Sequence, residues 1–172
     1  PHDSTPASRG DVPAGGDPPR RAAGLPSWVT GPDHRSRWAL VLLALLSGQF
    51  LGFGLWEAWR DAPTNDEPVI ISAGVTALTR HDLRINTEHP PLPKVLAALP
   101  VLAAHPIIPN DAAWRKGSGA FTAEFVRENQ RAGKLREIVF LARLIPLLES
   151  LLVGLGAYAL GAALFGRLAG LL

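Results

Sequence analysis

Two acids stand side by side at Asp66 and Glu67, and a short way along the chain comes Asn86-Thr87-Glu88-His89-Pro90-Pro91-Leu92-Pro93-Lys94. A carboxylate can take a proton from an incoming hydroxyl, and histidine, lysine or arginine can hold an anion such as phosphate. Much later Arg143 opens a second apolar run. Together these are the only dense set of side chains with chemistry to offer, and they lie between two strongly apolar segments. Paired acids and a His-Pro-Pro turn are poor material for a soluble core. They make sense where the ends of short helices meet at a membrane surface.

Each residue also has a plainer reading. Acids are favoured in the first turn of a helix, and Thr64-x-x-Glu67 fits a capping box. The sharper reading makes one acid a general base. Neighbouring acids point different ways from a helix start, so only one can face a reaction. His89 precedes two prolines, which force extended backbone, and it could be a turn residue. Arg143 could snorkel to lipid headgroups, or its fork of donors could clamp a phosphate with Lys94 as an added point charge. Asn86 and Glu88 would support that turn.

The elements that must position these groups follow from how the apolar residues are bunched. The 172-residue chain carries a formal charge of only +2, and its basic residues form no stripe with aromatics, which argues against nucleic-acid binding. Without cysteine there is no disulfide, thiolate catalysis or cysteine-held zinc. The chain starts at Pro1 and stops inside an apolar run, so it reads as a piece of a longer protein. Residues 1–37 are rich in Pro, Gly, Asp and Arg, and are expected to be a disordered tail. Their arginines place this end in the cytoplasm by the positive-inside rule.

Residues 38–59 are expected to form a first transmembrane helix, because Ala39 to Trp56 is almost wholly apolar and Trp38, Trp56 and Trp59 flank it. A signal peptide is disfavoured, since Trp56-Glu57-Ala58-Trp59-Arg60 offers no small-x-small cleavage site. Residues 60–137 are then an extracytoplasmic loop. Within it Pro68 to Leu78 predicts a short helix with Ile71, Val75 and Leu78 on one face. Pro91 to Ala104 predicts another, with Leu92, Val95, Leu96, Leu99 and Leu102 on one side and Lys94 its single charge. His105 to Gly119 reads as loop. Phe121 to Glu137 reads as a charged helix with Gly133 as a possible break, its Glu124–Arg127 and Glu128–Arg131 spacings marking an exposed face. Residues 138–166 hold the second transmembrane helix, apolar from Leu144 to Phe165, with Glu149 needing protein or water. Residues 167–172 begin a cytoplasmic loop.

A spanning helix, then Asp66-Glu67-Pro68, Ala73-Gly74 in a short helix, Asn86-x-Glu88-His89-Pro90-Pro91-Leu92-x-Lys94, and Ala142-Arg143-Leu144 entering the next span resemble the amino-terminal part of GT-C type membrane glycosyltransferases. The similarity is to protein O-mannosyltransferases, family 39-like enzymes, and bacterial transferases that use polyprenyl-phosphate sugars. It covers Trp38 to Leu172, only the first two of many spans in such enzymes. The resemblance implies inverting transfer of a sugar from a lipid-linked phosphate to a protein or glycan hydroxyl on the outer face of the plasma membrane. It puts the catalytic acid on Asp66, a supporting acid on Glu67, and the carrier phosphate near His89, Arg143 and Lys94. It requires neither cofactor nor metal. Val69 and Ile70 stand where many relatives carry a basic residue.

The expectation is therefore an all-α, multi-pass membrane protein: two transmembrane helices, a long extracytoplasmic loop with short amphipathic helices, and a disordered tail. The competing expectation is a non-enzymatic two-span protein whose outer loop binds or scaffolds a partner.

Overall fold

The structure, a computed structural model, describes residues 34–171, so the expected tail at 1–37 lies almost wholly outside the described residues. The described residues contain helices and no strand. Helix α1 runs His34–Arg60, α2 Glu67–Arg80, α3 Pro91–Val101, α4 Asp111–Arg115, α5 Ser118–Arg131 and α6 Leu135–Phe165; 3₁₀ turns follow α3 and α6.

Two helices, α1 and α6, are long and apolar enough to cross a membrane. Their packing supports that reading. Only 6% of the apolar window of α1 is buried, and Leu45, Phe53 and Trp56 point outward. A helix that is apolar all round and uncovered has lipid, not water, as its natural solvent. The two run antiparallel where they meet. Trp59 of α1 packs edge-on against Phe140 of α6, with ring centroids 5.3 Å apart, and Gly54 backs onto Leu147.

The second span begins earlier than its apolar core suggests. Helix α6 is continuous from Leu135, and Pro146 lies inside it. Nothing between Lys134 and Pro146 breaks a helix, so Arg136, Glu137 and Arg143 occupy its first turns and the apolar run simply continues it. The expected break at Gly133 is real. Gly133 takes a positive φ of 72°, its N–H donates to Gln130 O at 3.0 Å, and Lys134 N–H reaches Asn129 O at 2.9 Å. That is a Schellman ending, which turns the chain out of α5 and into α6.

The remaining helices pack with the start of α6 into a small core. Ile71, Val75, Ala98, Val101, Phe125, Ile138, Val139 and Ala142 form its main cluster. The predicted face of α2 is thus the packed one. Helix α3 is packed by its small residues, Ala97, Ala98 and Val101, while Leu92 and Leu99 are exposed. Small side chains let two helix backbones approach closely. Gly74 of α2 shows how closely: a Cβ there would lie 2.7 Å from Ala98 Cβ and nearer still to the Lys94 carbonyl oxygen.

The stretch expected as plain loop is pinned from several sides. The fully buried Asn129 of α5 pairs with Ile107 through both backbone groups, each at 2.8 Å, and also donates to Phe125 O. Arg80 donates to Pro109 O at 2.6 Å, and Asn110 caps α4 through the N–H groups of Ala112 and Ala113. On α5 the Glu124–Arg127 pair forms on the exposed side, while Phe121 and Phe125 fill the core and Thr122 meets Ser72 of α2 at 3.1 Å. Glu149 lies exposed on the surface of α6.

Gly74→Ala tests the close approach. Alanine gains about 1 kcal/mol of helix propensity, but overpacking a fitted contact costs about 1–3 kcal/mol, and here the obstacle is a backbone carbonyl. The variant should melt several degrees below wild type in a thermal scan of the detergent-solubilised protein.

Candidate functional site

The last carbonyls of a helix have no partner within it. At the end of α1 one of them, Ala58 O, finds a partner in Arg143, which reaches across from α6 and also binds two carbonyls just past the helix. Its Nη1 donates to Ala58 O and Asp61 O, and its Nη2 to Ala62 O, all at 3.1 Å. The other edge of the guanidinium forks onto Glu67, with Nε to Oε1 and Nη2 to Oε2 both at 2.7 Å. All five N–H donors of Arg143 are thereby engaged. The expected phosphate clamp is not the arrangement found: the fork is filled by a carboxylate of the protein itself.

Glu67 is fixed from a second direction by the Thr64 N–H at 2.8 Å. The bond has the spacing anticipated from Thr64-x-x-Glu67, but it is not a capping box: α2 begins at Glu67 with Asp66 as its N-cap, so Thr64 lies before the helix. Hydrogen bonds from Arg143 hold the Glu67 carboxyl below the usual glutamate range; partial burial opposes the shift, and the Thr64 N–H adds to it. Its neighbour differs. Asp66 is the N-cap of α2, yet its side chain accepts no helix N–H and is exposed. Only its backbone carbonyl is used, accepting from Ile70 N–H at 3.1 Å. The two acids do diverge from the helix start, one into the protein and one into the open.

In the other stretch Asn86 sits in the left-handed region with φ of 55°, and Lys94 reaches back to it. Lys94 Nζ donates to Asn86 O at 2.5 Å and lies 3.4 Å from Asn86 Oδ1, in a side chain that is 5% exposed. A buried ammonium is costly without an anion beside it, and these two acceptors are neutral. Glu88 and His89 are exposed in the turn that Lys94 closes, and neither side chain makes a hydrogen bond. Among the described residues no hydrogen bond or ion pair joins Asp66–Glu67 to the Asn86–Lys94 stretch. What couples them is the packing of α2 on α3 at Gly74.

Two features escaped the sequence reading. Arg80 and Arg84 stack over Trp114 at 5.7 and 5.1 Å, and Arg84 also forks onto Asp82, whose carboxyl it holds below the usual range. A cavity also opens beside the α1–α6 contact, lined in part by Trp59, Arg60, Gln130 and Arg136. The Trp-x-x-Trp-Arg ending of α1 was the available signal for the second; the first joins residues too far apart to be paired by spacing.

No family model, curated protein or solved structure matches the chain. The functional reading therefore rests on these residues and their placement.

Because the folded pKa of Glu67 lies below its unfolded value, the Arg143 pair contributes full stability above the ordinary glutamate range and loses it as pH falls through the lower, folded value. Arg143→Ala should cost about 2 kcal/mol, taken from the low end for a charge-assisted pair because solvent screens the partly exposed Glu67. Melting measured from neutral pH down to about pH 3 should show wild type losing its advantage over Arg143→Ala on acidification. A constant gap across that range would remove the pair from the stability of the junction.

Proposed function

We propose that the chain is the amino-terminal part of an inverting GT-C type glycosyltransferase, which moves a sugar from a polyprenyl-phosphate carrier to an acceptor hydroxyl on the extracytoplasmic side of the plasma membrane. The observation that carries this is the division between the two acids. Glu67 is consumed by Arg143, whereas Asp66 stands at a helix start, exposed, with no partner and no capping bond. An N-cap acid that caps nothing is available as a base.

In this reading Asp66 takes the proton from the acceptor hydroxyl as its oxygen attacks the anomeric carbon. The carrier phosphate leaves with the electrons of the broken glycosidic bond. Glu67 and Arg143 position Asp66 by fixing the start of α2. Lys94 and His89 remain as donors for the carrier phosphate, and a phosphate at that turn would supply the anion that buried Lys94 lacks. Asn86 and Glu88 shape the turn. The resemblance in motif order supports the assignment, as does the position of Asp66–Glu67 close to the end of apolar α1, since a lipid phosphate would lie near the ends of spanning helices.

In full-length enzyme, Asp66→Asn should keep expression and lower sugar transfer roughly a hundredfold or more. Asparagine caps a helix as well as aspartate does, so a purely structural Asp66 would leave transfer unchanged at matched membrane levels. Glu67→Gln should instead lower the melting temperature along with activity.

Sidedness is tested separately. A single cysteine at position 115 should react with an impermeant maleimide in intact cells. Reaction only after permeabilisation would put the loop, and the proposed site, on the wrong face.

A further inference from the structure

Between the end of α1 and the junction of α5 with α6 lies a cavity of about 410 Å³. Its walls include Trp59, Arg60, Asp61, Gln130, Arg136 and Val139. None of the residues from Asp66–Glu67 or Asn86–Lys94 lines it, so it is separate from the site proposed for sugar transfer.

Two features give it a chemistry. Both arginines are held by indoles rather than by acids: the Arg60 guanidinium lies 4.8 Å over Trp56 and that of Arg136 5.9 Å from Trp59. Stacking on a ring face fixes a guanidinium while leaving its N–H edge open. Neither arginine forms an ion pair with Asp61, the one carboxylate in the lining, or with any other acid among the described residues. Two oriented, uncompensated guanidinium forks on one cavity match the oxygens of a phosphate. The second feature is depth. Trp56 and Trp59 close the apolar run of α1, where tryptophan marks the level of lipid headgroups. Ala58, Leu135 and Val139 make the inner wall apolar, and Phe53 and Trp56 continue an uncovered apolar surface away from it along α1.

We propose that this cavity binds the phosphate of an anionic membrane phospholipid, with its acyl chains lying along α1. Arg60 and Arg136 grip the phosphate oxygens, Gln130 hydrogen-bonds the glycerol or headgroup, and the bound lipid bridges the two spans beside the Arg143 junction. This inference rests on α1 and α6 lying in a bilayer and is independent of sugar transfer.

The test uses the full-length protein released from mixed micelles and weighed by native mass spectrometry. Wild type should retain phosphatidylglycerol over phosphatidylcholine by roughly tenfold, as a charge-assisted contact predicts. Arg60→Gln with Arg136→Gln should bring the ratio to about one, while Arg60→Lys with Arg136→Lys should keep part of it. Equal retention of the two lipids by wild type overturns the proposal, and so does an undiminished ratio in the glutamine pair. Displacement of phosphatidylglycerol by millimolar inorganic phosphate would assign the cavity to a soluble anion. Displacement by polyprenyl phosphate would assign it to the donor. Either result rejects the phospholipid, and both arms are read on wild type, whether or not the double variants fold.

Discussion

A single guanidinium decides where three helices meet. Arg143 binds one of the last carbonyls of α1 and two just past it, binds the glutamate that begins α2, and belongs to the first turns of α6. With α1 and α6 in a bilayer, as proposed, this would matter more than it would in water. Unpaired carbonyls there have few solvent partners, and an arginine in an apolar helix is expensive unless its donors are all used. Each problem is the other's solution. The interaction also sets the level of Trp59 against Phe140, and with it the wall of the neighbouring cavity.

The same constraint separates two acids that look equivalent in sequence. A bidentate pair with arginine fills both oxygens of Glu67, and the Thr64 N–H adds a third bond. A carboxylate so placed resists protonation and cannot easily approach a substrate. Asp66 keeps both oxygens free because α2 starts without them, its first backbone bond running from Ile70 N–H to the Asp66 carbonyl. An acid beside a clamped carboxylate has a fixed backbone and keeps its own oxygens available, which is what the proposed role of Asp66 as a base would need.

Much of this could be read from the residues. The apolar runs locate α1 and α6, the spacing of Ile71, Val75 and Leu78 gives the packed face of α2, and Gly133 marks the turn between α5 and α6. Thr64-x-x-Glu67 foretold one of the bonds to Glu67. What was hidden arises between distant segments. Arg143 meets carbonyls more than eighty residues away and a carboxylate seventy-six away, and local spacing carries no trace of either. The packed side of α3 was obscured because size misleads: the leucines look like the core face, but the backbone contact with Gly74 demands Ala98. Asn129 resembles any polar residue on a charged helix, and only the fold shows it standing in for a strand partner to Ile107.

The two chemistry-bearing stretches are built by one device used twice. In each, a cation from a later helix bonds backbone carbonyls of an earlier turn: Arg143 holds Ala58 to Ala62, and Lys94 holds Asn86. Next to each fixed turn stand exposed side chains without a bond, Asp66 in the first and Glu88 and His89 in the second. A cation that binds carbonyls rigidifies backbone without neutralising nearby side chains, so it fixes a titratable group's position and leaves its reactivity intact. The two turns differ in charge balance. Glu67 cancels Arg143, whereas buried Lys94 has only the neutral acceptors of Asn86 and no ion pair among the described residues. Under the proposed transfer, that asymmetry would keep the phosphate and the base apart, since in an inverting reaction the leaving group and the attacking hydroxyl stand on opposite faces of the sugar.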